Sequence, residues 1–316
     1  MAQINSKVLL MKAGTTYGAT PTFTAADALK VFDLDCKELV ADMAPRNFAD
    51  GEAGQTGGSA FTRPRSELVF SFEAAGSGTA GTKPPWLTAI EACGFLTTTV
   101  AGVSNTISPA SLNSALAFAD FKCKHAGADY FSYGARGSWE LSMTAGEVPR
   151  VTCNFQGIYT APAQAAMSAP TYSNQALGVV VDAFNTPTVE IGSLETPIAR
   201  CISAFTLNAN STATYFNDAG CTSPEIRITD QQPTASITFR ETTFADFNVH
   251  QAIENRTSHA LRIIHGPVGA RSTIILPKVR FNTAEKTDNN GVLYRTCELE
   301  IDRTPGTRDW MTWKLD

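Results

Sequence analysis

Short runs of strict apolar–polar alternation recur along this chain, and they predict strands with one buried and one wet face. In SELVFSFEAAG (66–76), Leu68, Phe70 and Phe72 point one way, while Glu67, Val69, Ser71 and Glu73 point the other. In GSWELSM (137–143), Trp139, Leu141 and Met143 oppose Ser138, Glu140 and Ser142. In RVTCNFQG (150–157), Val151, Cys153 and Phe155 oppose Thr152, Asn154 and Gln156. In YRTCELEID (294–302), Cys297, Leu299 and Ile301 oppose Thr296, Glu298, Glu300 and Asp302. Such one-sided strands belong in antiparallel sheets that keep one face in water.

The order of these elements occurs twice. The first half reads strand 66–76, helix 84–96, strand 116–125 and hairpin 137–162. The second reads strand 234–244, helix 245–257, strand 259–266 and hairpin 277–305. Further strands are predicted at 7–12, within 27–41, near 179–194, and at 201–209 and 224–230. The expected fold is mainly β: two tandem β-sandwich domains, each with a flanking short α-helix. The boundaries are 1–165 and 179–316, with a linker at 166–178 that is small, polar and interrupted by prolines. Residues 43–66 are rich in glycine and lack a period, so they read as one long loop. It is either a floppy insertion or an arm that orders against a neighbouring subunit. Arg46, Phe48, Phe61, Arg63 and Arg65 would be its contact residues.

The chain's 316 residues suffice for two domains, each with its own core. A net charge of −5 argues against a nucleic-acid clamp but not against a surface that DNA must pass without sticking. Seven scattered cysteines without a C-x-x-C pair predict free, buried thiols in a protein made in a cytoplasm. The N-terminus contains no apolar run long enough for a signal peptide or a membrane span.

Little here suggests chemistry. GSGTAG (76–81) matches G-x-G-x-x-G, but its preceding strand alternates, and Thr82, Lys83 and two prolines separate it from the helix. A tight turn accounts for it better than a nucleotide site. The histidines at 125, 250, 259 and 265 lack metal-ligand spacing, and no nucleophile elbow or phosphate loop is present. No catalytic residue, cofactor or metal is expected.

Two stretches carry a resemblance. ELVFSFEAAGSGTAGTKPPWLTAIEACGF (67–95) and GARGSWELSMTAGEVPRVTCNFQGIYTAP (134–162) resemble the major tail tube proteins of long-tailed, non-contractile bacteriophages. The first has a strand ending in a Gly-Ser-Gly turn and a Pro-led helix. The second is a closing hairpin with Gly157, Tyr159, Ala161 and Pro162 at its end. The resemblance implies a virion protein made in the host cytoplasm, whose sheets join a shared β-barrel in stacked rings. The chain would bind itself, a tape measure protein, a tail terminator and baseplate proteins, and would conduct DNA without binding it specifically. It would not contact a membrane. A two-fold repeat implies a trimeric ring with pseudo-sixfold symmetry.

If each half lends about four strands, as in that family, six halves give about 24 strands and a backbone diameter of roughly 37 Å before tilt. That bore admits a duplex. Glu67, Glu73, Glu140, Glu298 and Glu300 are the expected lumen-lining residues, because an acidic wall repels phosphate. The competing expectation is an adhesive or decorative β-sandwich on a virion or cell surface.

Overall fold

All four alternating runs fall on strands, although 66–76 runs three residues and 294–302 one residue past the strand end. The computed structural model describes residues 7–46, 58–112, 115–166, 169–193, 197–221, 223–241, 243, 246–267 and 270–316. The first half contains β1 (Lys7–Ala13), β2 (Ala28–Leu29), β3 (Phe32–Pro45), β4 (Ser59–Glu73), α1 (Leu87–Ala92), β5 (Phe95–Val100), β6 (Ser104–Pro109), β7 (Ala119–His125), β8 (Ala128–Thr144) and β9 (Arg150–Gln164). The second contains β10 (Thr188–Gly192), β11 (Pro197–Ala199), β12 (Ile202–Asn208), β13 (Ser211–Phe216), β14 (Glu225–Gln231), β15 (Thr234–Arg240), α2 (Val249–Glu254), β16 (His259–His265), β17 (Ser272–Phe281), β18 (Glu285–Asn289), β19 (Val292–Ile301) and β20 (Thr312–Leu315).

The pairing order recurs, and every pair is antiparallel. In the first half β2 pairs β1, and the order then runs β1–β7–β8–β9–β4–β3. In the second half β11 pairs β10, and the order runs β10–β16–β17–β19–β15–β12. Register aligns the two. Ser71 faces Thr152 across β4 and β9, and Thr238 faces Thr296 across β15 and β19. Each hydroxyl pair is hydrogen-bonded at 3.0 Å. Thr152–Cys153 thus corresponds to Thr296–Cys297, and Phe72 to Phe239. Both short helices end on a left-handed residue, Gly94 (φ +91°) and Arg256 (φ +51°).

The two halves share a sheet. The C-terminal part of β8 pairs β12, with Glu140 opposite Asn208 and Ser142 opposite Thr206. β20 bridges a second seam, pairing β17 on one side and β6 on the other. Among the described residues the sheet does not close into a barrel.

One apolar cluster runs through both halves. Trp313 of β20 lies at its centre, 5.3 Å from the Trp86 ring and 5.8 Å from the Trp139 ring. Its indole N–H donates to Ser272 Oγ at 2.6 Å, so its one polar atom is satisfied. The predicted linker is held against the first half. Thr171 N donates to Ala25 O, Gln175 brackets the backbone of Ala28 and Lys30, and Gly178 N donates to Glu73.

The described parts of the predicted loop 43–66, residues 43–46 and 58–66, are largely strand. β3 and β4 continue through it as a hairpin arm, with Asp42 opposite Thr62, Met43 opposite Phe61 and Pro45 opposite Ser59. Arg63 (φ +50°) and Pro64 sit in a bulge opposite Ala41, where the ladder needs no donor. The arm shows little alternation in sequence because both of its faces are exposed in the protomer.

A shared core predicts shared unfolding. Trp313→Ala should cost roughly 3–5 kcal/mol and lower a single calorimetric transition. Two transitions, only one of which moves, would show that the halves melt independently.

Candidate functional site

Register assigns the polar sides of eight strands to one continuous surface. In order across the sheet these are β3, β4, β9, β8, β12, β15, β19 and β18. Residues directly opposite one another in a ladder share a face. Glu67 faces Gln156, Glu140 faces Thr152 and Asn208, Ser236 faces Thr206 and Glu298, and Thr296 faces Glu285. All five glutamates singled out in the sequence therefore lie on the same side of the same sheet.

Their surroundings divide them. Glu67 is held by Lys37 at 3.3 Å and Arg65 at 3.6 Å. Glu73 accepts from Gly178 N at 2.7 Å. Arg150 lies opposite Glu73, so the wall near β4 and β9 carries both signs of charge. Glu140, Glu298 and Glu300 instead converge on an open groove of about 1460 Å³, together with Asp230 and Asp302. Arg303 and Arg308 also line it. Glu300 pairs with Arg256, and Asp302 pairs with Arg280 at 2.8 Å. Glu140 accepts from Asn208 Nδ2 at 3.2 Å and, like Glu298, has no ion pair among the described residues. The face is thus a mixed wall whose acidity gathers in the second half. Alternation revealed the side each carboxylate takes but not its cationic partners, which come from neighbouring strands.

The arm residues are also sorted. Asp42 is approached by Arg65 at 3.3 Å and Arg63 at 3.9 Å, so both arginines are engaged within the protomer. Arg46 closes the described part of the arm through its backbone N–H to Gly58 O, and Phe48 lies outside the described residues. Phe61 is 53% exposed, Met43 59% and Leu39 47%, leaving apolar side chains on the arm without cover in the protomer.

The second half has a counterpart arm, β13–β14, which sequence reading did not recognise as a hairpin. It is seated on the first half: Ile226 and Ile228 are buried. Ile226 N donates to the Tyr17 hydroxyl at 2.6 Å, Arg136 donates to Ile226 O, and Ser211 Oγ donates to Cys93 O at 2.9 Å.

Other flagged residues have structural roles. Gly81 (φ +67°) packs against the turn between β5 and β6, where a Cβ would meet Gly102 N at 2.3 Å, so GSGTAG is a turn fixed by close approach. All seven cysteines are free, but Cys36 is half-buried and Cys201 and Cys221 are exposed, against the expectation of buried thiols. Burial pushes the Cys297 thiol up to about 12. His265 lies between Thr186 Oγ1 at 2.9 Å and Val179 O at 3.2 Å, and His259 packs against Phe247 and Phe281. Burial lowers the pKa of both rings. No cluster of metal-binding side chains occurs among the described residues. Comparison with protein-family models and with curated proteins finds no match.

Two outcomes are expected. Unfolding lets His259 and His265 take up protons at a pH where the folded chain does not. Stability should therefore be greatest above the ordinary histidine pKa and fall as pH drops through the depressed folded values. Thermal melts from pH 7.5 to 5 should show that decline, and His259→Phe should flatten it. Separately, Glu298→Lys with Glu300→Lys should cost less than about 1 kcal/mol in a urea titration, because the Arg256–Glu300 pair is exposed.

Proposed function

We propose that this chain is a structural subunit of a bacteriophage tail tube, with its polar sheet face turned to the lumen. On this reading the two halves are two copies of one tube domain, and three chains make a pseudo-sixfold ring. The observation that carries the reading is the run of eight strands with a common polar face, four from each half. Three such runs make about 24 strands, a circumference of roughly 115 Å and a backbone diameter of roughly 37 Å. Subtracting roughly 5 Å of side chain per wall leaves about 27 Å, wider than a duplex of about 20 Å. A ring of three halves would be too narrow.

The wall's chemistry fits passage better than binding. Duplex DNA presents one charge per ~1.7 Å of axis, and a basic wall would hold it by counterion release. Here Lys37, Arg65 and Arg256 are paired with Glu67, Asp42 and Glu300, Arg303 and Arg308 line the groove beside five carboxylates, and Glu140 and Glu298, which have no ion pair among the described residues, would repel phosphate. The hydroxyl pairs Ser71–Thr152, Thr206–Ser236 and Thr238–Thr296 satisfy one another and offer DNA little to grip. The expected partners are other copies of the chain in the ring and the stack, with a tape measure protein inside and terminator and baseplate proteins at the ends.

Electron microscopy of concentrated purified protein tests this directly. Hollow tubes with a regular axial repeat and a threefold projection are expected, and persistent monomers would remove the reading. In virions, Glu298→Lys with Glu300→Lys should slow DNA delivery more than it reduces tube assembly. Normal delivery would show that these carboxylates do not face the bore.

A further inference from the structure

The seam inside the chain specifies a seam between chains. β12 occupies in the second half the place that β3 occupies in the first: β12 pairs β15 as β3 pairs β4, and β15 pairs β19 as β4 pairs β9. β18 likewise takes the place of the C-terminal part of β8. Glu285 lies opposite Thr296 as Glu140 lies opposite Thr152, and Thr287 lies opposite Tyr294 as Ser142 lies opposite Arg150. Within the chain, β12 and β8 pair. Their counterparts, β3 and β18, each pair on one side only among the described residues.

We propose that β3 of a second copy of this chain adds to the free edge of β18, antiparallel and in the register of the internal seam. Asp35 then lies opposite Thr287, Cys36 opposite Lys286 and Lys37 opposite Glu285. The inference rests on the tube reading and supplies the contact that would close its ring.

Charge favours this register. In the internal seam Asn208 donates to Glu140. In the seam between copies the same two positions carry Lys37 and Glu285, turning a hydrogen bond into an ion pair on the polar face. The Lys37 side chain is 59% exposed and among the described residues is ion-paired to Glu67, so it can reach a second carboxylate. The core side of the new seam is more polar than the internal one. Lys286 and Asp288 stand where Leu141 and Met143 are buried. A charged edge strand of this kind resists indiscriminate pairing while the subunit is free.

The arms agree. β13–β14 extends from the β12–β15 hairpin and covers the first half, burying Ile226 and Ile228. The distal β3–β4 hairpin extends in the same way from its own base but leaves Leu39, Met43 and Phe61 exposed. Pairing β3 with β18 brings that arm over the second half of the neighbouring copy, where those side chains would find cover.

Charge exchange tests the register in the full-length chain. Lys37→Glu and Glu285→Lys should each reduce the assembled fraction in sedimentation at least about tenfold, since each places like charges together. The double variant should recover to within about twofold of the parent. Unaltered thermal melts confirm that each variant folds. Single variants that assemble normally into tubes, or a folded double variant that stays unassembled, overturn the pairing while leaving the tube reading intact. Closed rings that obey the charge exchange but never stack support the pairing and count against the tube. A parent chain that never associates overturns both.

Discussion

A sheet strand that lacks a partner on one side presents a row of unpaired backbone N–H and C=O groups, and that constraint organises this protein. The chain satisfies it internally at the seam where β12 lies against β8. Because the pairing is antiparallel and in register, the polar side of the first half continues into the polar side of the second. A slip of one residue would turn Phe205 and Leu207 into water and Thr206 into the core. Both apolar residues are fully buried, so the register is fixed by burial as well as by hydrogen bonds.

That seam explains why the interior is continuous. Once β8 and β12 are neighbours, the buried faces of the two halves meet, and β20 closes over the junction by pairing with β17 and β6. Three tryptophans gather at that junction, where large flat side chains fill the space between the halves. Trp139 comes from β8, Trp313 from β20, and Trp86 from the turn that opens α1.

What could be read from the sequence follows from which residues see both environments. Leu68, Phe70 and Phe72 alternate visibly with Glu67, Ser71 and Glu73 because their strand has one face in the core and one in water. Pro84 and Gly94 bracket the first helix, but the helix itself starts only at Leu87, because Pro84 spends its carbonyl on the Leu87 N–H as a turn. The second helix is shorter than 245–257 for a similar reason: Asn248 caps it by accepting from Gln251 N. Strand β20 was illegible, since TWKL is too short to show a period and its partners lie far away in sequence. The arm was misread because side chains exposed on both faces leave no alternation to find. For the five glutamates, parity was legible, but pairing with Lys37, Arg65 and Arg256 was not, since ion pairs across strands depend on a register that no single strand contains.

Joining two halves in one chain changes the problem of building a ring. On the proposed reading, six wall segments need six seams, and three of these form during folding, before any subunits meet. The internal seam can then be apolar, because it is never exposed to a stranger: Leu141 and Leu207 lie buried across it. The seam between copies must stay soluble until it is used, and its positions carry Lys37, Glu285, Lys286 and Asp288 instead. The same division separates the arms, one already packed with its isoleucines covered and the other still showing Leu39, Met43 and Phe61. Divergence between the halves is then what the physics of assembly requires. Identical halves would be unable to distinguish the contact made in folding from the contact reserved for a partner.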